Sequence, residues 1–127
     1  MKTNRIDHLV LTVKDIRVTA KFYESILGMK HIEFGDNRHA LLFGNQKINL
    51  HEIGNEFEPK AGNVKNGSAD ICFIIDTSID EAVSELKSKH VDIIDGPVER
   101  TGATGKIVSI YFRDPDDNLI EVSNYQD

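Results

Sequence analysis

The stretch IDHLVLTVKDIRVTAKFYESILG, residues 6–28, changes its hydrophobic period half-way along. From Ile6 to Val13 the side chains alternate, with Leu9, Leu11 and Val13 on one side and Ile6, His8, Val10 and Thr12 on the other, which is the pattern of a half-buried strand. Asp15 then stands where a helix takes its N-cap. Ile16, Ala20, Phe22, Tyr23, Ile26 and Leu27 recur at helical spacing, and Gly28 sits where a left-handed residue commonly ends a helix. Three short β-like runs follow, KHIEF (30–34), HALLF (39–43) and KINLHEI (47–53), separated by the turn signals Gly35-Asp36-Asn37 and Gly44-Asn45. The unit is βαβββ.

After a polar connection at 54–68 the same order restarts. ADICFIID (69–76) reads as a strand, and Thr77 or Ser78 caps a helix with Glu81 completing a capping box. Ile79, Ala82, Val83 and Leu86 form the apolar stripe of that helix, and the strands VDII (91–94), IVSIYF (107–112) and NLIEVS (118–123) complete a second βαβββ. A shift of 62 residues carries His8 onto Asp70 and Asp15 onto Thr77. The later strands need a shift of 70, with the extra residues in the loop DGPVERTGATGK (95–106). An internal duplication predicts an α+β fold: one domain over 1–127, with modules 1–58 and 67–127 forming cupped mixed sheets around a cavity and helices outside.

Composition narrows the partners. In 127 residues, 39% hydrophobic content is enough for a core. Asp and Glu outnumber Lys and Arg by 21 to 15 without a basic stripe, which argues against nucleic acid. No apolar run is long enough to span a bilayer, the single cysteine, Cys72, has no internal disulfide partner, and the N-terminus lacks a signal-peptide pattern. These features predict a cytoplasmic protein.

The inward faces of the strands carry the chemistry. If the more uniformly apolar set on each strand meets the helices, His8, Asn49 and His51, Asp70 and Cys72, and Glu121 and Ser123 turn inward. His8, His51 and Glu121 make a two-histidine, one-carboxylate set suited to divalent zinc, nickel, manganese or iron, with Asp70 as a candidate fourth ligand. His31, His39 and His90 read as ordinary hydrogen-bonded histidines, and Cys72 as a small core residue. GATGKI (102–107) has the wrong spacing for a phosphate loop, and Ile107 cannot ligate magnesium. Arg100 and Lys106, in the loop 95–106, are candidates to meet an anionic substrate.

IDHLVLTVKDI with FYESILGM, the inward His51, and YFRDPDDNLIEV with its Asp-Pro turn and Glu121 together resemble the vicinal oxygen chelate superfamily. This group includes glyoxalase I, fosfomycin-modifying enzymes, extradiol dioxygenases, methylmalonyl-CoA epimerase and bleomycin-binding proteins. GPVERTGATGKIVSIYFRDPDDNLIEVSNY is most similar to the glyoxalase-domain-containing protein 5 and virulence-protein-like group. The resemblance implies a divalent metal held at His8 and Glu121, a small substrate binding through adjacent oxygens, and modules paired within a chain or across a homodimer. It points to a lyase or isomerase of the glyoxalase type with Glu121 moving the proton. Ring-cleaving dioxygenase, thiol transferase and non-catalytic ligand binding are the alternatives. His51 stands where glyoxalase I usually has glutamate, and Asp70 where it usually has histidine.

Overall fold

A computed structural model describes residues 1–127 as two helices and eight strands in two four-stranded mixed sheets, an α+β fold. The chain divides into two compact units, Met1–Gly67 and Ser68–Asp127, each a βαβββ module.

In the first module β1 (His8–Val13) leads into α1 (Ile16–Leu27), followed by β2 (Lys30–Phe34), β3 (Arg38–Phe43) and β4 (Gln46–Glu52). The Asp15 side chain accepts from the Arg17 and Val18 amides at the helix start, and Gly28 ends it at φ 65° in the left-handed region. The sheet order is β1-β4-β3-β2, with β1 parallel to β4 and the other pairs antiparallel. α1 packs over β2, β3 and β4. Tyr23, Leu41, Ile48, Leu50 and Val13 are sealed in that layer, as the alternation requires.

The second module repeats this with β5 (Asp70–Ile74), α2 (Ile79–Ser88), β6 (Asp95–Thr101), β7 (Lys106–Arg113) and β8 (Leu119–Tyr125), in the order β5-β8-β7-β6. Ser78 is the cap of α2, its hydroxyl accepting from the Glu81 amide at 3.2 Å. The β7–β8 turn is held by Asp114, whose carboxylate accepts from the Asp116 amide (2.9 Å) and from the Asn118 amide (3.0 Å) and side chain (2.8 Å). Asn118 in turn accepts from the Ala69 amide at 2.9 Å, tying the start of β5 to the start of β8.

The one strand misplaced by periodicity is β6. Residues 91–94, expected as a strand, instead leave the helix: the Val91 amide closes onto the Leu86 carbonyl at 2.9 Å, and His90 takes φ 58°. Pairing with β7 begins only as the Ile94 amide reaches the Tyr111 carbonyl. The true strand, DGPVERT, looks like a loop because it is an edge strand, where proline and charge are tolerated.

Candidate functional site

Each module turns one polar face away from its helix. On the first, His8, Val10 and Thr12 of β1 lie beside Lys47, Asn49 and His51 of β4, in register His8 with Lys47, Val10 with Asn49 and Thr12 with His51. His8 is oriented by its neighbour: its Nδ1 bonds to Asp7 Oδ2 at 2.8 Å, which also holds the Asp7 carboxyl below its ordinary pKa. A carboxylate on one ring nitrogen leaves Nε2 available, the arrangement that commonly sets the tautomer of a metal-bound histidine.

His51 has different surroundings. Its ring meets Phe57 edge-on at 5.5 Å, and the Arg38 guanidinium lies 4.3 Å from the Phe57 ring centre. Burial first, and then the positive charge of Arg38, hold the His51 pKa below the usual imidazole value, which favours the neutral ring. Its Nδ1 is sealed without a hydrogen-bond partner, as is Oδ1 of Asn49. The segment after β4 folds over this end of the face. Glu56 secures it by accepting from the Gly54 amide at 2.6 Å and pairing with Lys60 at 3.4 Å.

On the second module Cys72 lies opposite Glu121, which lies opposite Tyr111, and Ser123 opposite Ser109. The hydroxyls form a directed chain. Ser109 donates to Glu121 Oε2 at 2.6 Å, so the 2.6 Å contact between Ser123 and Ser109 has Ser123 as donor. The Cys72 thiol, 3.3 Å from Ser123 Oγ, is then the donor there; the residue is exposed on this face rather than in the core as its size suggested, and the partial burial of its thiol pushes the pKa up. Glu121 is thereby fixed by neighbours that sequence reasoning left unassigned. Ser109 alternates with Tyr111 on one strand, and that period-two relation was the available signal.

Arg100 donates from Nε to Tyr111 Oη at 3.0 Å and reaches Asp95 at 3.4 Å. Burial raises the Tyr111 pKa, the Arg100 bond opposes that, and the Glu121 charge reinforces it. Lys106 is paired with Glu99 at 3.4 Å at an exposed position. Asp70 begins β5, exposed, on the Glu121 face and one alternation away from Cys72.

The register revises the internal alignment. His8 corresponds to Asp70 by a shift of 62, but their strand partners Lys47 and Leu119 differ by 72, not 70. Glu121 therefore has Asn49 as its counterpart, and His51 corresponds to Ser123. His8 and His51 are four register positions apart, about 13 Å along the strand, whereas two nitrogens on one ion are separated by no more than ~4 Å. No group of three His, Cys, Asp or Glu side chains is assembled closely enough to hold a metal ion. His8, bonded to Asp7, and Glu121, bonded to Ser109, carry nitrogen and oxygen donors of the types that hard or borderline divalent ions accept.

The family profile described as Glyoxalase/Bleomycin resistance protein/Dioxygenase superfamily matches residues 5–122. The chain belongs to this superfamily. Among superfamily members, virulence protein STM3117 of Salmonella typhimurium is 59% identical over 125 residues, 98% of this chain and 87% of that protein. Glyoxalase domain-containing protein RDO1 of Mycosarcoma maydis is 52% identical over 127 residues, 100% of this chain and 72% of the relative. The structure of integron cassette protein VCH_CASS1 from V. cholerae has 61% identity and a TM-score of 0.97, covering 99% of this chain and 98% of that one. More distant superfamily relatives include human mitochondrial methylmalonyl-CoA epimerase, 31% identical over 93% of this chain and 72% of the epimerase. A fosfomycin resistance protein, FosX, from Listeria monocytogenes was crystallised with Mn(II) and sulfate; it shares 25% identity and a TM-score of 0.68 over 98% of this chain and 93% of its own.

Proposed function

We propose that the protein is a divalent-metal-dependent enzyme of the glyoxalase type, a lyase or isomerase whose small substrate binds through adjacent oxygens. The observation that carries this reading is the pair of pre-oriented donors, His8 braced by Asp7 and Glu121 braced by Ser109. Asp70, on the Glu121 face, is the proposed further ligand, and His51, paired with Thr12 rather than with His8, is proposed to meet the substrate instead of the ion. The FosX relative, with its Mn(II), supports a divalent ion in a fold of this kind.

A divalent ion, zinc, nickel, manganese or iron, held by His8, Glu121 and Asp70, would supply Lewis-acid stabilisation of negative charge on the substrate oxygens. The chain's own residues do the rest. Glu121 takes a proton from the carbon beside the carbonyl and returns it. Ser109 steadies that carboxylate through each transfer. Arg100, held against Tyr111, and Lys106 are the proposed contacts for an anionic substrate group, which would exchange for their exposed partners Asp95 and Glu99. The proposed donors come from both modules, and a homodimer is the proposed assembly. A cytoplasmic location is the proposed setting, in keeping with a chain whose single cysteine forms no internal disulfide.

Metal analysis after reconstitution tests the proposal, with His8→Ala and Glu121→Ala as controls. The expected result is divalent metal retained by the wild type and lost from both variants, together with turnover in hemithioacetal isomerisation or a related proton-transfer assay. A wild type that retains no metal overturns it.

A further inference from the structure

A cavity of about 400 Å³ in the first module lies against Val10, Thr12 and His51, with Pro59, Lys60, Ala61 and Val64 of the covering segment on its other side. It begins one alternation along β1 from His8 and ends beside the cross-strand pair Thr12 and His51. From His8 to Thr12 the strand runs about 13 Å, so a molecule anchored at His8 has room to extend along β1 beneath residues 59–64.

The lining defines what that extension is. Val10, Pro59, Ala61 and Val64 make its walls apolar. The charge of Lys60, the one cation in the lining, is already met by Glu56 and Glu58, each at 3.4 Å, so the walls offer little to an anion. His51 is neutral by burial and by the adjacent Arg38, and with Nδ1 sealed off, its remaining nitrogen is the one able to meet a ligand. Apolar walls ending in a neutral imidazole and the Thr12 hydroxyl match an uncharged tail that finishes in a hydroxyl or carbonyl oxygen.

We infer that the cavity under residues 59–64 is a tail-binding compartment that takes an apolar chain with a neutral oxygen at its end, and that His51 and Thr12 read that oxygen. This rests on the proposed function for placing the substrate's reacting end at His8, but binding of the tail does not require the metal.

The test therefore uses the metal-free full chain in chelator, with 1-hexanol as probe and amide chemical shifts as readout. Shifts concentrated at Val10, Thr12, His51, Ala61 and Val64 are expected. Filling the space with Ala61→Trp, or independently with Val64→Trp, is expected to weaken the probe by about tenfold or more. Thr12→Val and His51→Phe keep the walls and remove the polar end, and are expected to erase the advantage of 1-hexanol over hexane. Hexanoate is expected to bind more weakly than the alcohol. Shifts scattered elsewhere, affinity unchanged in both tryptophan variants, or hexanoate binding as tightly as hexanol would overturn the assignment. A protein that binds hexanol as described yet retains no metal refutes the proposed enzyme function alone.

Discussion

Replacing Ser109 with alanine tests whether Glu121 is held in place or merely located on the face. Ser109 is fully buried, and its hydroxyl is shared between Glu121 Oε2 and Ser123 Oγ, each at 2.6 Å. Serine and alanine differ by one oxygen, so almost no cavity is created and the change isolates the hydrogen bonds. A bond to a charged acceptor contributes about 1.5–3 kcal/mol. Ser123 already lies 3.4 Å from the same carboxylate oxygen and can turn its proton to it, which recovers part of the loss and places the cost near ~2 kcal/mol. For a chain of this length that is a fall in Tm of roughly 6 °C. The assay is urea unfolding of metal-free protein, run as a cycle with Glu121→Gln. Against glutamine the bond is no longer charge-assisted, and the serine substitution should cost only about 1 kcal/mol. Loss of a brace of this kind should also weaken metal binding by about 10–100-fold. A cost below about 0.5 kcal/mol with unchanged metal affinity would refute the claim that Ser109 orients Glu121.

Other substitutions probe the frame around the faces. Gly96 adopts φ 94°, and a Cβ there would collide with the Ser109 carbonyl, so Gly96→Ala should strain β6 against β7 and lower Tm, with amide exchange rising first along 95–101. Asn118→Ala leaves the Ala69 amide without its acceptor and Asp114 with one donor fewer, and about 2–4 kcal/mol of stability should be lost in denaturant unfolding. The Gly54 amide holds the Glu56 carboxyl below its ordinary pKa, so its stabilisation is present above the usual carboxylate range near 4.5 and is lost as pH falls through the depressed folded value. Protection factors over 54–60, with the intrinsic slowing of exchange in acid divided out, should fall on acidification in the wild type, and should already be low at neutral pH in Glu56→Gln. Hydrogen exchange followed by mass spectrometry reads both.

The modules were legible because the signals that define them are local. Alternation in β1, a cap at Asp15 and a left-handed Gly28 are properties of a few adjacent residues, and the structure keeps each. Register is not local. The pairing of β1 with β4 depends on how far the chain travels through α1, β2 and β3, and a slip of two residues leaves every inward residue inward. The correct face was therefore readable for both Asn49 and His51, while their order along it was not. A duplicate aligned with a shift of 70 makes His51 the counterpart of Glu121; the pairing within each sheet makes Asn49 that counterpart, with a shift of 72. Two residues along a strand is about 6.6 Å, larger than the reach of one coordination shell, so this difference changes the chemistry assigned to His51. If the register is right, Asn49→Asp adds a carboxylate at the position related by duplication to Glu121 and should strengthen divalent-metal binding. His51→Ala should leave metal binding within about twofold while reducing affinity for an uncharged tail. If instead His51→Ala strips the metal as completely as His8→Ala, the imidazole at 51 is a ligand and the separation of ligand end from tail end along β1 is wrong.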